Sequence, residues 1–405
     1  MARRNGGFVG QDGLDAPDPP TGITPTAGDA QVSVAFTAPS DAGTSAITGF
    51  VVQVSTDDTA YSAGSNTGTS SPIVVSSLTN GTNYTAKVWA INAYGTSAPS
   101  DASAAAAPVA PPRGLFVGVG ANGGSSYSNA IEYITITTTG NSTDFGDRTV
   151  TTNSSSSFSS TTRGVSNGGA ISGSSAINTI DYVTIASTGD STDFGDMSQV
   201  GALGGAFSNS TRGVMATGSN ATSTLQNVIL YVTIANTGNT TDFGDLTVAR
   251  YYTSSTFASP TRGVVAGGYT NTHVDVIDYV TIGSTGNATD FGNMSTSNYA
   301  IAGASSSTRG IIAGHLGSAL TNRIEYVTIA NTGNTTDFGD LTATNFNNAG
   351  CSSNLRACFA GGSAPSKKNI DYVTIATTGN AADFGDLSAL TNQFSGCSSD
   401  HGGLQ

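Results

Sequence analysis

The stretch 231–247, YVTIANTGNTTDFGDLT, returns without a change at 326–342. Its parts recur more widely. A Y-[VI]-T-I strand begins at Tyr133, Tyr182, Tyr231, Tyr279, Tyr326 and Tyr372, and a D-F-G triplet at Asp144, Asp193, Asp242, Asp290, Asp337 and Asp383. An Arg-Gly step stands ahead of each strand at Arg113, Arg163, Arg212, Arg262 and Arg309, with Arg356 followed by Ala. The spacing is 46–50 residues, six times over. A period of that length with about four short strands per unit predicts a six-bladed β-propeller rather than a helical solenoid.

Within 250–300 the strands are expected as RYYTSSTFASP innermost, TRGVVAGG second and IDYVTIGS third, with a short edge strand after a TGNATDFGN loop. The first unit enters at RGLFVGVG, already on its second strand. The tail ALTNQFSGCSSDHGG, 389–403, is then the missing inner strand that completes the first unit and removes an open sheet edge. The D-F-G triplet also marks the metal-binding segment of protein kinases, but there it occurs once, beside a Gly-rich loop, a strand Lys and a catalytic-loop Asp. Here its expected role is local. The Asp caps the turn after strand three, the Phe packs between units, and the Gly takes a positive φ. The repeated Arg and the D-F-G Asp fall on one face of the disc, so an Arg–Asp ring between neighbouring loops is expected. Calcium held by those carboxylates is the alternative, although the loop lacks the ligand spacing of a dedicated site.

The order of strands resembles the kelch repeat, whose marks are an Arg before the inner strand and an apolar run ending in Gly-Gly. Gly-Gly is complete at Gly168-Gly169, Gly267-Gly268 and Gly361-Gly362, while the usual Trp of each blade is absent. Ahead of the repeats, 17–104 alternates with period two through QVSVAFTAP, ITGFVVQVS, SPIVVSS and NYTAKVWAIN. That segment resembles a fibronectin type III domain, from PDPPTGIT through LTNGTNYTAKVWAINAYGTSAPS. Leu78 and Tyr84 match the family's tyrosine-corner pair, Asn80-Gly81 gives the turn between them, and Phe36 stands where the family usually has Trp. If Tyr84, Ala86, Val88 and Ala90 point inward, Trp89 and Val51 face out, as covered surface residues or as a docking patch. Residues 105–112, AAAPVAPP, read as an Ala/Pro linker, and 1–16 as a flexible arm. The fold class is therefore all-β: a fibronectin type III sandwich at 17–104, then a six-bladed kelch-like propeller at 113–405 closed by the C-terminal strand.

Charged residues are only 10% of the chain and the net charge is −13, which argues against a nucleic-acid or anionic-membrane partner held by bulk electrostatics. Cys351, Cys358 and Cys397 are too few for a disulfide framework and read as small core residues. No apolar run follows Arg3 and Arg4, so no signal peptide and no bilayer span is expected. His273, His315 and His401 lack partners at metal-ligand spacing, and no catalytic triad or cofactor motif stands out. A glycosidase or lyase built on the propeller ranks last among the function classes.

The units differ from one another mainly in the second-to-third and fourth-to-first loops. Those loops carry Tyr127, Tyr251, Tyr252, Tyr269, Tyr299 and Phe346 among Asn and Ser, as a neutral glycan would require, or as ordinary packing aromatics. The opening GGFVGQDGLDAPDPPTG, the repeats and the final HGGLQ together resemble virion structural proteins of marine tailed phages, cyanobacterial viruses among them. That resemblance implies a non-enzymatic appendage on the virion surface, assembled in the host cytoplasm from capsid, tail or baseplate partners. Its propeller would bind a host cell-surface glycan, or else serve as decoration with no ligand. Arg3, Arg4, Phe8 and Val9 of the arm would attach it to an acidic groove on the particle.

Overall fold

The computed structural model describes residues 14–404 except 62, 122–125, 173–174, 220–223, 318 and 364. Arg3, Arg4, Phe8 and Val9 thus lie outside the described residues. The chain divides into two compact units between Pro111 and Pro112.

In the first unit, strands Thr21–Gly28, Gln31–Thr37 and Ile73–Ser76 form one antiparallel sheet. Ala63–Gly68, Ile47–Ser55, Thr85–Asn92 and Gly95–Thr96 form the other. Alternation buries one face of each: Val32, Val34, Val52, Val54, Ala86 and Val88 meet between them. Phe36 packs on Phe50 with ring centroids 4.7 Å apart. The Tyr84 hydroxyl accepts a hydrogen bond from Thr79 N at 3.2 Å, and Gly81 closes the turn at φ +79°. Val51 and Trp89 are cross-strand partners on the opposite face, and both are half-buried.

Both expected boundaries shift. Asp15 accepts hydrogen bonds from Thr44 N at 3.2 Å and Asn92 Nδ2 at 2.9 Å, so the end of the expected arm is built into this unit. In the expected linker, Ala106 exchanges two backbone hydrogen bonds with Tyr84, and Val109 N donates to Gly28 O. Ser97, Ser100 and Ser103 line the edge of Thr85–Asn92. Their hydroxyls accept from the amides of Ala90, Val88 and Ala86, so that edge is covered rather than open.

The described residues of the second unit form six antiparallel sheets in series. The second strands are Arg113–Val117, Arg163–Asn167, Arg212–Ala216, Arg262–Ala266, Arg309–Leu316 and Arg356–Ala360. The first strands of sheets two to six are Ser156–Ser159, Gly205–Ser208, Ser255–Ala258, Ala302–Ser305 and Ala349–Ser352. The first sheet takes its first strand from the far end of the chain, Ser395–Ser398 pairing with Arg113–Val117. Each first strand touches the next around the series, and Ser395–Ser398 touches Ser156–Ser159. Serine hydroxyls link them: Ser208 Oγ donates to Ser159 O at 2.6 Å, Ser159 Oγ to Ser398 O at 2.7 Å, and Ser352 Oγ to Ser305 O at 2.9 Å.

Two sequence readings are corrected here. D-F-G lies inside the fourth strand (for example Thr289–Asn298), not in a loop before it, and RYYT precedes the first strand Ser255–Ala258 instead of belonging to it.

The repeated residues hold consecutive sheets together. Each D-F-G Phe meets its own sheet's Tyr edge-on, Phe291 and Tyr279 lying 6.0 Å apart, and joins a cluster with the next sheet: Phe145 with Val183 and Ile185, Phe243 with Val280 and Ile282. The triplet's Gly has φ between +143° and +150°, and a Cβ there would lie 2.3–2.5 Å from the T-G carbonyl of a neighbouring unit. Only glycine allows that approach. That T-G amide donates back to the Phe carbonyl, Gly189 N to Phe145 O at 2.7 Å.

The expected Arg–Asp ring does not form. Each Arg lies over the Tyr of its own sheet, Arg262 4.3 Å from the Tyr279 centroid, and donates to backbone carbonyls of the following unit. Arg262 Nη1 reaches Ile329 O at 2.8 Å, and Arg356 Nη1 carries the series to Ile136 O at 3.2 Å. The D-F-G aspartates are exposed. The residue after T-G makes a bond between units instead: Asn239 Oδ1 accepts from Asp196 N at 2.9 Å, and Asn334 Oδ1 from Asn293 N at 3.0 Å.

Candidate surface site and cavity mouth

Just before each first strand one residue adopts the left-handed backbone: Ser154, Leu203, Tyr252, Ala300, Asn347 and Gln393, all at φ +56° to +58°. Non-glycine residues pay strain there, so six in register indicate a shared constraint. The constraint is a backbone circuit. Ser154 N donates to Gln393 O at 2.7 Å, Gln393 N to Asn347 O at 3.1 Å, and Asn347 N to Ala300 O at 2.6 Å. Ala300 N then donates to Tyr252 O at 3.5 Å, Tyr252 N to Leu203 O at 2.7 Å, and Leu203 N to Ser154 O at 3.1 Å. The circuit fixes the entry to a cavity bounded by the first strands of all six sheets.

At the other end the chain terminus lies against the same strands. His401 Nε2 sits 3.2 Å from Ser208 Oγ and 3.3 Å from Ser159 O, and a Cβ on Gly402 would lie 2.1 Å from Ser306 O. Burial pushes the His401 imidazole down from 6.5 to about 4, partly offset by the Ser159 carbonyl.

Four of the six aromatics proposed for glycan contact come together around the fourth sheet. Tyr251 lies 4.9 Å from Tyr252 and 5.4 Å from Tyr269; Tyr299 lies 5.1 Å from Tyr252 and 5.4 Å from Tyr269, centroid to centroid. His273, missed by sequence reasoning, stacks on Tyr299 at 4.8 Å. All five rings are half-buried, so each keeps an exposed part. Burial raises the hydroxyl pKa of Tyr251, Tyr252 and Tyr299, and neighbouring tyrosines add to it. The hydroxyls therefore remain protonated donors at neutral pH. Tyr127 and Phe346 lie elsewhere, in the second-to-third loop of the first sheet and ahead of the sixth sheet.

Backbone pairing positions the cluster: Tyr251 N donates to Tyr269 O at 3.2 Å and Tyr269 N to Tyr251 O at 2.9 Å. Beneath it, the fully buried Arg250 donates to Gly267 O at 2.9 Å and to Asp278 Oδ2 at 2.9 Å. Asp278 belongs to a series of acids one place before the repeated Tyr, with Glu132, Asp181, Glu325 and Asp371. Each accepts from a Ser or Thr in or just after the preceding unit's fourth strand, as Thr247 Oγ1 to Asp278 at 2.6 Å and Thr342 Oγ1 to Asp371 at 2.8 Å. The sequence signal was there, an acid at the same phase in five of six units, with Leu230 the exception.

Among the described residues no three of His, Cys, Asp and Glu gather as a metal site. His315 is buried near the end of its strand, Nε2 2.6 Å from Thr296 Oγ1 of the preceding sheet and Nδ1 2.9 Å from Ala319 O. The three cysteines are buried and free. Cys351 is pushed up by its contact with Cys358 and by burial, and Cys397 by burial to about 12.

The fibronectin type III domain family matches residues 18–106. A fibronectin type III domain is present. The crystal structure of domains A168–A170 from titin is similar at 27% identity, over 24% of this chain and 33% of that one, with a TM-score of 0.23. The chain thus spans about a third of that structure. No curated protein matches the chain.

Proposed function

We propose that residues 113–405 form a six-bladed, kelch-like β-propeller, and that the chain is a non-enzymatic structural protein of a phage virion whose propeller contacts a host cell-surface glycan. Six sheets in series, with the C-terminus supplying the first strand of the first, support the propeller reading. The observation that carries the binding reading is the convergence of Tyr251, Tyr252, Tyr269 and Tyr299 with His273 in loops that differ from unit to unit. Half-exposed rings with protonated hydroxyls suit sugar faces and hydroxyl groups. Among the described residues, no lysine or arginine lies over a ring of the cluster.

A stacked aromatic adds about 0.5–1.5 kcal/mol beyond its buried area. One site should therefore bind at about millimolar Kd, and many copies on one particle would raise avidity by roughly 10²–10⁴. Assembly would take place in the host cytoplasm, and residues 1–16 would attach the protein to the particle. The test is a glycan array and host-envelope pull-down with multimerised protein, wild type beside Tyr251→Ala/Tyr252→Ala. Binding lost in the variant is expected; binding that survives it moves the site elsewhere. Absence of binding at any valency leaves a structural decoration.

A further inference from the structure

The hydroxyls that link the first strands do not close into a full ring. Serine ends the first strand of five sheets, and each of those hydroxyls donates to the carbonyl at the same position in the neighbouring sheet. Beyond the bonds already given, Ser398 Oγ reaches Ser352 O at 2.5 Å and Ser305 Oγ reaches Ala258 O at 2.8 Å. The fourth sheet ends its first strand on Ala258, which has no hydroxyl to pass on to Ser208 O. The relay therefore stops between the third and fourth sheets. The segment 399–404 is seated at that gap. A Cβ on Gly403 would lie 1.9 Å from Ser208 O, and one on Gly402 2.6 Å from Ala258 O. Both glycines are buried and neither has a positive φ, so the close approach is what requires them.

One side chain holds the segment through its tautomer. Gly403 N donates to His401 Nδ1 at 3.1 Å, so that nitrogen carries no proton and the ring hydrogen is on Nε2. Nε2 then donates toward Ser159 O and Ser208 Oγ. A second proton has only Nδ1 to go to, where it opposes the Gly403 N–H and breaks the turn Gly402–Leu404. The first strands bring no charged side chain to the ring. The arginines that follow them lie over tyrosines of their own sheets, and Asp400 accepts from Asn354 N at 3.4 Å, ahead of the sixth sheet's second strand. The thiols of Cys351 and Cys397 line the same cavity and are held neutral by burial. Among the described residues, none of these groups offsets a charged imidazole at this position.

We propose that 399–404 is an acid-released strap, which seals this end of the six-strand cavity while His401 is neutral and swings out when His401 is protonated. The cavity wall, with its serine hydroxyls and two thiols, then opens to solvent. Burial holds the imidazole of the seated strap down from 6.5 to about 4. Between those values the released form takes up a proton that the seated form does not, so release rises by up to about 10-fold for each pH unit lost. Above 6.5 the strap is fully seated, and below 4 the gain ends.

Thiol labelling of the full chain reads the opening. Dithiodipyridine reacts with thiols in acid as well as at neutrality, and peptide mass spectrometry separates Cys351 and Cys397 from Cys358. Scaled to glutathione at the same pH, labelling of Cys351 and Cys397 should rise by about 30-fold from pH 7 to pH 4.5, while near-ultraviolet circular dichroism stays native. Gly403→Ala should label rapidly at pH 7 already, because its methyl has no room beside Ser208 O. His401→Gln should lose the pH dependence, whether its neutral amide keeps the strap seated or leaves it loose. An acid response that persists in His401→Gln, or that appears only together with loss of the near-ultraviolet signal, would overturn the strap. Slow labelling at pH 7 in a folded Gly403→Ala would overturn it as well.

Discussion

Gly310→Ala should destabilise the second unit through one contact, and Phe257→Ala should remove that effect. A Cβ built on Gly310 would lie 2.0 Å from the Phe257 ring, whose other edge atoms are at 2.3 and 2.6 Å. Gly310 does not have a positive φ, so no backbone strain enters the comparison. Phe257 is 3% exposed and packed in the cluster between the fourth and fifth sheets, and cannot swing away. Overpacking a core of that kind costs about 1–3 kcal/mol, here toward the upper end, or roughly 4–6 °C in melting temperature for a unit of this size. Phe257→Ala alone should cost about 3–5 kcal/mol through the cavity it leaves. On that background the added methyl of Gly310→Ala meets empty space and should be neutral or slightly stabilising, a coupling of about 2–3 kcal/mol. The sixth sheet already contains that arrangement, because its Arg is followed by Ala357 and Ala304 stands where Phe257 stands in the fourth sheet. Wild type, the two single variants and the double variant compared by calorimetry and urea titration give the cycle. Equal costs for Gly310→Ala on both backgrounds would refute the reasoning.

Removing 389–405 takes away the strand paired with Arg113–Val117 and the Gln393 member of the backbone circuit, and should lower the melting temperature by roughly 6–10 °C, about 3–5 kcal/mol; calorimetry of the truncated chain checks it. His401 has a folded pKa depressed from 6.5 to about 4, so the unfolded chain binds the extra proton first. Stability is therefore complete above pH 6.5 and is lost as pH falls toward 4, by about 1–3 kcal/mol given its partial exposure, and His401→Gln should flatten that part of the stability–pH curve. Deleting residues 1–13 should leave both units folded yet abolish incorporation into particles, read by mass spectrometry of purified virions.

The fold was legible because its constraints repeat. Six copies of one period gave the strand order, and the phase of the first unit gave the role of the tail. The first unit's strands followed from alternation. What repetition could not give was the partner of each conserved-looking residue within the repeat. Arg and Asp on one face suggested ion pairs, whereas the guanidinium is better satisfied by a Tyr ring beneath it and by carbonyls of the next unit. The buried acids before Tyr went unread because an acid in an apolar strand looks solvent-facing until the neighbouring Thr or Ser arrives from another unit. At the site, the tyrosines were visible as aromatics in variable loops. His273, Arg250 and the circuit were not, since ring packing, a buried guanidinium and a left-handed Asn or Gln leave no local signature.

The most direct test of the account is cryo-electron microscopy of the intact virion, with the chain identified in the same particles by mass spectrometry. The account predicts the protein on the particle surface, its N-terminal segment against another virion protein and Tyr251, Tyr252, Tyr269 and Tyr299 facing outward. A particle that lacks the chain, or one in which those tyrosines are covered by a neighbouring virion protein, would contradict it.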